Sequence, residues 1–314
     1  MSVSIIIPTF NEEKYITNCL NSLLLSLTNY SEYEIIVVDG ESNDNTVNIV
    51  SQFSRNNSRI KIINNPKKIA PSALNLGLEA SKYEIIIRCD AHAHYPVEYI
   101  KNNVDLLTNS DDKTMNVGGY ILTKSKDNSL ISASIANVLS SSFGVGNSNF
   151  RTGATKNINI IEADTVPFGC FRKSIFKLIG NFNEKEPANE DLEFNYRIRK
   201  HGYKILLSNS IISYYYVRSN LKDFIKQTLR NGLITTINKN FSFRSFRHYI
   251  PLIFFLFLIS GLINLLILDN RIISNLYYLG IFFYLTFIMI GTISILLKKK
   301  QIYFLFYCPI IFFI

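Results

Sequence analysis

The sequence predicts an α/β protein with a mostly parallel β-sheet, followed by transmembrane helices at its C-terminal end. Two observations on the 314 residues carry this prediction. Short runs of β-branched and aliphatic residues alternate with helical patterns in the N-terminal part of the chain. Near the C-terminal end the charged residues almost vanish, in segments long enough to cross a lipid bilayer.

Four apolar segments of the N-terminal part are predicted β-strands. They are Val3–Pro8, Tyr33–Asp39, Arg59–Asn64 and Tyr83–Asp90. Helical spacing of apolar residues separates the first two (Leu20, Leu23, Leu24, Leu27) and the last two (Ala73, Leu74, Leu76, Gly77, Ala80). Apolar strands that alternate with helices are typical of βαβ units, whose parallel sheet is covered on both faces. Ligands bind at the carboxyl ends of such strands, so we expect Pro8, Asp39 and Asp90 in one crevice.

The chain between Asn116 and Gly202 has a less regular pattern. The segments "NVGGYIL" and "ADTVPFGCF" are predicted strands. The stretch Ser129–Asn159, rich in Ser, Gly and Asn, is predicted to be a long connection, either a mobile loop on the acceptor side or an ordinary link. Helical spacing returns in "NEDLEFNYRIRKHGYKILL", where Gly202 is the expected C-cap.

Two long uncharged segments, 250–268 and 272–297, are predicted membrane spans. A third apolar run, 302–314, is shorter and is predicted to be a partial span. Buried core helices are the alternative, but two such segments in tandem are rare in soluble domains. Basic residues precede the first span and Lys298 to Lys300 follow the second, so the positive-inside rule places both groups in the cytoplasm. The prediction is a multi-pass protein of the cytoplasmic membrane, with its N-terminal domain facing the cytoplasm.

Charge and cysteine content restrict the partners and the compartment. The net charge is +9, and cationic residues concentrate between Lys222 and Arg247, directly before the apolar tail. This arrangement indicates a membrane surface and no nucleic acid; a solvated basic face is the alternative. The four cysteines form no C-x-x-C pair, which indicates reduced thiols. Pro8 interrupts the N-terminal apolar run, so no signal peptide is expected.

The segment "RCDAHAHYP" places Asp90 and His92 at the end of a predicted strand. Side chains separated by one residue can converge there on a single ion, either a hydrolytic zinc or an ion that binds substrate phosphates. A zinc site needs more His or Cys residues at recognised spacings than this chain offers. Oxygen and imidazole ligands also suit Mn²⁺ and Mg²⁺, and Mg²⁺ usually shares one or two protein ligands with substrate phosphates. We therefore predict a Mn²⁺ or Mg²⁺ ion that holds a diphosphate.

Three further acids are candidates with a structural alternative. Asp39 ends a predicted strand, where it either accepts hydrogen bonds from a base or ribose or acts as a turn residue. Glu190 and Asp191 stand at a predicted helix N-terminus, where acids commonly complement the helix dipole. Their functional interpretation is a general base near an acceptor hydroxyl.

Several segments in fixed order resemble the family 2 glycosyltransferases of the GT-A fold. They are "VSIIIPTFNEEKYITNCLNSLL", "EIIVVDGESNDNT", "NPKKIAPSALNLGL", "RCDAHAHYP" and "NEDLEFNYRIRKHG". The segments "SSFGVGNSNFR" and "ADTVPFGCFRKSIF" make the chain most similar to the succinoglycan-biosynthesis type of bacterial exopolysaccharide glycosyltransferase. The resemblance extends from Val3 to Gly232, and the ordered combination is far more specific than any one segment.

The resemblance implies a role for each candidate residue. The nucleotide pocket would be lined by Pro8, Thr9 and Glu12, with Asp39 near the uracil and with Arg88 and Glu190 as further substrate-binding residues. Asp90 and His92 occupy the family's D-x-D position for the metal, where His92 replaces the second acid. Asp191 matches the catalytic base of inverting members. The segment from Gln227 to Asn231 resembles the Q-x-x-R-W of processive synthases, but Asn231 replaces the tryptophan.

The resulting prediction is an inverting, metal-dependent glycosyltransferase of the hexosyltransferase type. It would move a sugar from a nucleotide-diphosphate sugar, a UDP-sugar, to a lipid-linked saccharide acceptor in cell-surface or exopolysaccharide synthesis. A processive membrane polysaccharide synthase is the alternative, and a non-catalytic nucleotide-sugar-binding membrane protein is a remote one. The predicted domains are a GT-A domain at 1–218, a basic amphipathic segment at the membrane interface at 219–249, and transmembrane helices at 250–314.

Overall fold

The structure is a computed structural model that describes residues 2–125, 127, 129–146, 148–152, 159–186, 189–217, 220–237 and 250–313. The chain divides into two compact units. The first contains Met1–Lys124 and Ser148–Tyr216, and the second contains Ser125–Asn147 and Val217–Ile314. The β-sheet lies in the first unit.

The elements are numbered in chain order. The strands are β1 (Val3–Thr9), β2 (Tyr33–Asp39), β3 (Ile60–Asn64), β4 (Ile85–Arg88), β5 (Ala93–His94), β6 (Thr114–Lys124), β7 (Ile160–Glu162), β8 (Cys170–Arg172) and β9 (Lys204–Tyr216). The first nine helices are α1 (Ile16–Ser26), α2 (Thr46–Asn56), α3 (Ala70–Ala80), α4 (Tyr99–Thr108), α5 (Leu130–Leu139), α6 (Ser142–Val145), α7 (Asn149–Thr152), α8 (Ser174–Ile179) and α9 (Glu190–Lys200), of which α5 and α6 lie in the second unit. Toward the C-terminal end follow α10 (Leu221–Ile237), α11 (Ile250–Ile263), α12 (Arg271–Lys299) and α13 (Phe304–Phe313).

The sheet has the order β3-β2-β1-β4-β8-β6-β9-β5, and β7 also pairs with β9. Strands β1 to β4 pair in parallel, as the sequence predicts. The other half is mixed, because β8 runs antiparallel to both β4 and β6 while β6 and β9 are parallel. The α/β class is thus confirmed, but the prediction of a mostly parallel sheet is wrong. The sheet is mixed, and its purely parallel half consists of the first four strands.

Two apolar cores cover the two faces of this sheet. Neighbouring residues of β1 alternate between them, since Ile5 and Ile7 belong to one core cluster and Ile6 to the other. In β2 the residues Ile35 and Ile36 divide in the same way. Burying each such side chain contributes about 1.5–3 kcal/mol. Strands that are apolar on both faces are therefore fixed in register, which aligns their carboxyl ends.

The sequence correctly predicted where one helix ends, whereas its prediction of a long connection is wrong. The helix α9 ends at Lys200, close to the predicted cap Gly202, and β9 begins at Lys204. Gly202 lies between them with a φ of 80°, a left-handed conformation that glycine adopts without strain and that ends the helix. The stretch predicted as a long connection contains α5, α6 and α7. The hydroxyl of Ser129 caps α5 by accepting a hydrogen bond from the Ser132 amide, so part of the serine content serves helix initiation.

The second unit contains apolar helices with extensive exposed surface. Among the described residues, α12 is the one helix long and apolar enough to cross a membrane, with a mean hydropathy of 2.2. Its large side chains remain exposed, for example Phe282 (63%) and Phe283 (61%). The helix α11 continues into a π-helical turn at Asn264–Leu268 and, like α13, is shorter. The predicted spans at 250–268 and 302–314 therefore remain predictions. Of the predicted interface segment, residues 219 and 238–249 lie outside the described residues.

Candidate active site

Arg88, at the end of β4, is the centre of the candidate site. Its Nη2 atom lies 3.2 Å from Asp90 Oδ1 and 2.9 Å from Glu190 Oε1, and its Nη1 atom lies 3.8 Å from Asp191 Oδ2. The Arg88 side chain is only 11% exposed. One buried guanidinium thus connects the end of a central strand to the first turn of α9.

The backbone around Asp90 is held by buried groups. The Arg88 amide donates to the carbonyl oxygen of Gly169, and the Cys89 amide donates to that of Ile6. The Asp90 amide donates to the hydroxyl of the fully buried Tyr95 over 2.7 Å, and that hydroxyl donates back to the Asp90 carbonyl oxygen. These bonds fix the Asp90 backbone, while its side chain keeps 23% exposure.

The acids of α9 are positioned by the helix start. Asn189 precedes the helix with a φ of 63°, which turns the chain into Glu190 and Asp191. Phe194 is fully buried in the second core cluster and anchors the first turns of α9. The Glu190 carboxylate is 7% exposed, whereas that of Asp191 is 36% exposed. Of the two adjacent acids, Asp191 is therefore the one that a substrate can reach.

The charges of this cluster are unbalanced. Burial raises the pKa of Glu190 to about 7. The positive charge of Arg88 acts to lower this pKa, and the negative charge of Asp191 raises it further. Burial alone would lower the pKa of Arg88, but Asp90, Glu190 and Asp191 together raise it well above its ordinary value. Three carboxyl groups thus surround one guanidinium. The site favours a proton on Glu190 or an additional cation.

The position predicted for a metal combines Asp90 with His92. The Nδ1 atom of His92 lies 3.1 Å from Glu12 Oε1, and its ring packs edge-on against Tyr215 with a centroid distance of 5.4 Å. In the described ranges, no three His, Cys, Asp or Glu side chains are grouped so that they alone could hold a metal. An ion here would share two protein groups with the oxygen atoms of a substrate. That donor set fits Mg²⁺ or Mn²⁺, which commonly take substrate phosphates as ligands.

Asp39 and Thr9 form a second group, at the ends of β2 and β1. The Thr9 hydroxyl donates to Asp39 Oδ1 over 3.2 Å, and the amide and hydroxyl of Ser42 also donate to this carboxylate. Asp39 is 4% exposed. These contacts support the interpretation of Asp39 as a turn residue. Its predicted contact with the base of a nucleotide remains a prediction. Pro8 lies beside Val38 in the parallel register.

The structure therefore brings the predicted site residues into three groups. They are the Arg88 cluster with Asp90, Glu190 and Asp191, the pair of His92 and Glu12, and the β1–β2 group of Pro8, Thr9 and Asp39. Sequence reasoning missed Tyr95 and Tyr215, which contact the Asp90 backbone and the His92 ring. Neither had a signal in the sequence, because their roles depend on tertiary contacts.

The chain is similar in sequence to several known proteins. The family model described as "Glycosyl transferase family 2" matches residues 4–179. A Methanococcus voltae protein, named dolichyl N-acetyl-alpha-D-glucosaminyl phosphate 3-beta-D-2,3-diacetamido-2,3-dideoxy-beta-D-glucuronosyltransferase, is 32% identical over 98% of this chain and 94% of its own length. The succinoglycan biosynthesis protein ExoA of Rhizobium meliloti is 30% identical over 69% of this chain and 64% of its own length. The resemblance to the succinoglycan-biosynthesis type is confirmed.

A solved structure supports the fold. The crystal structure of Staphylococcus aureus TarS 1–349 in complex with UDP-GlcNAc aligns with a TM-score of 0.52 and 20% sequence identity. The alignment covers 75% of this chain and 66% of that chain. At this identity the likeness shows the fold, an α/β mixed sheet of the GT-A type.

Proposed function

This chain belongs to glycosyl transferase family 2, and on that basis we propose that it transfers a sugar from a UDP-sugar to a lipid-linked saccharide acceptor, with inversion at the anomeric carbon. The observation that carries the proposal is the Arg88 cluster. It holds one accessible carboxylate, Asp191, beside a second carboxylate, Asp90, at the carboxyl end of a central strand. A transferase needs both a base and a site for the leaving diphosphate.

The proposed donor site uses the predicted residues in their assigned roles. Pro8, Thr9 and Glu12 line the nucleotide pocket, and Asp39 approaches the uracil. Asp90 and His92 would hold a Mn²⁺ or Mg²⁺ ion, which would supply positive charge to a leaving diphosphate. Arg88 and Glu190 support this site, Arg88 by direct contact with Asp90. The excess of carboxylates around Arg88 supports an added cation.

Asp191 is the proposed general base. A hydroxyl is a poor nucleophile until a base accepts its proton as the new bond forms. With one base and one direct displacement, the anomeric carbon inverts and no covalent intermediate arises. The greater exposure of Asp191 supports its assignment over Glu190, whose carboxylate is directed at Arg88.

The proposed acceptor is a saccharide on a lipid carrier. The name of the M. voltae relative specifies a dolichyl phosphate-linked N-acetylglucosamine as that protein's substrate. The apolar helix α12 supports a membrane location for this chain. We propose a multi-pass protein of the cytoplasmic membrane with a GT-A domain at 1–218 facing the cytoplasm, an interface segment at 219–249 and spans within 250–314.

The test is a transfer assay on the full chain purified in detergent. The protein is incubated with Mn²⁺ or Mg²⁺, a panel of nucleotide-sugars and polyprenyl phosphate-linked N-acetylglucosamine, and release of nucleoside diphosphate is measured. We expect release with one donor class, dependence on the acceptor, and loss on addition of EDTA. No release with any donor would refute the proposal, and products extended by many sugars would favour a processive synthase.

A further inference from the structure

Arg151 is a cationic residue that none of the roles above uses. It lies in the short helix α7, next to Phe150, which packs against both core clusters and so fixes the helix. The Arg151 guanidinium carbon lies 5.7 Å from the ring centroid of Tyr215. The same ring also contacts His92, at a centroid distance of 5.4 Å. The guanidinium thus lies one aromatic ring away from the proposed metal position.

Arg151 is incompletely paired within the part of the chain that the structure describes. Its Nη1 atom is buried and has no hydrogen-bond partner there. Two other partly buried arginines differ in this respect: Arg172 donates to three carbonyl oxygens, and Arg197 donates to Glu193 and to three carbonyl oxygens. A buried cationic donor without an acceptor is unfavourable, so an acceptor supplied by a bound substrate would stabilise Arg151.

The electrostatic surroundings indicate the charge of that acceptor. Burial lowers the pKa of Arg151, while Tyr215 and Asp191 raise it, which locates the guanidinium within the field of the proposed base. An anion bound there would be close to groups that also surround the proposed base and the proposed metal position. Arginine presents a planar set of N–H donors that matches phosphate oxygens, and it binds them more strongly than neutral groups do.

We propose that Arg151 binds a phosphate oxygen of a substrate in this cleft. This inference rests on the proposed function, which brings two such groups to the site: the diphosphate of the donor and the phosphate that joins the acceptor saccharide to its lipid. Both present the same chemistry to a guanidinium. An experiment can therefore determine which of these two phosphate groups Arg151 binds.

The experiment compares Arg151→Gln and Arg151→Lys with wild type in the full chain. Arg55→Gln is the matched control, because Arg55 is exposed on α2 and its loss changes the net charge equally. Calorimetry with Mn²⁺ gives the affinities for UDP and for uridine, which lacks phosphates. Transfer kinetics give KM for polyprenyl phosphate-linked N-acetylglucosamine and for an alkyl glycoside of the same sugar.

Each outcome assigns or overturns the proposal. We expect Arg151→Gln to weaken binding of the phosphate-bearing ligand by about 10- to 100-fold, which is typical of losing a charge-assisted hydrogen bond. Arg151→Lys should weaken that binding less. A loss for UDP but not for uridine assigns the donor diphosphate. A higher KM for the phosphate-linked acceptor but not for the alkyl glycoside assigns the acceptor phosphate. Unchanged values, or equal losses with and without phosphate, overturn the proposal. A wild type that neither binds UDP nor transfers sugar refutes the proposed function itself.

Discussion

Replacing Asp191 by asparagine tests the assignment of the general base most directly. The Asp191 carboxylate is 36% exposed and lies at the N-terminus of α9. One of its oxygens accepts a hydrogen bond from the Leu192 amide over 2.8 Å, and an asparagine oxygen can accept the same bond. The substitution therefore keeps the size and local contact of the side chain while it removes the ability to accept a proton.

The expected loss of rate is large and the expected loss of stability is small. Removing a positioned base costs about 100- to 10,000-fold in rate, which corresponds to about 3–5 kcal/mol in the activation barrier. The lost interaction of one carboxylate with the helix dipole is about 0.3–1 kcal/mol. UDP affinity should stay within about threefold of wild type, because the proposed base is not a ligand of the diphosphate. Any change should be a gain in affinity, since the substitution removes a negative charge near the diphosphate.

Glu190→Gln is the matched control. The Glu190 carboxylate is 7% exposed and 2.9 Å from Arg88, so its oxygens face the guanidinium and not the acceptor. We expect about a tenfold loss of rate, because removing one hydrogen bond to a charged group costs about 1.5 kcal/mol. Both variants are assayed for sugar transfer and for UDP binding. Near-native turnover in Asp191→Asn together with inactivity in Glu190→Gln would show that the base is Glu190.

Three other expectations follow from the site and the tail. Asp90→Ala should abolish the Mn²⁺-dependent gain in UDP affinity measured by calorimetry; an undiminished gain would place the metal elsewhere. Glu190 has a pKa raised above its unfolded value, so the folded chain holds a proton that the unfolded chain releases, and stability should fall as pH rises from about 4.5 to about 7. The free energy of unfolding should fall by an amount on the order of 3 kcal/mol between pH 5 and pH 8, as measured by denaturation followed by circular dichroism. This fall should be absent in Glu190→Gln, and the same pH dependence in both proteins would contradict the raised pKa of Glu190. Reporter fusions after Asn220 and after Lys300 should both report the cytoplasm. Reporters on opposite sides of the membrane would mean an odd number of spans between these two positions and would contradict the predicted topology.

The parallel half of the sheet could be predicted because its signals are local. Strands β1 and β2 are buried along almost their whole length, so a continuous apolar run is sufficient to identify them. Their ends carry Thr9 and Asp39, which the parallel register sets side by side. The carboxyl-end rule therefore located the candidate site before any contact was known.

The other half of the sheet depends on contacts that no local pattern contains. Strand β5 has two residues and exists because it pairs with the end of β9. Strand β9 follows a helix after three residues, and the switch depends on the backbone of Gly202. The pairing of Arg88 with Glu190 likewise joins residues that are far apart in the sequence.

The charge balance around Arg88 connects the metal position to the base. Three carboxyl groups and one guanidinium leave two excess negative charges if every acid is ionised, and such charges repel strongly in a partly buried site. A proton on Glu190 removes one of them, in agreement with its raised pKa. A divalent cation held by Asp90 and His92 would offset both excess charges. In the proposed mechanism the cluster would therefore serve both substrates, the donor through Asp90 and the acceptor hydroxyl through Asp191.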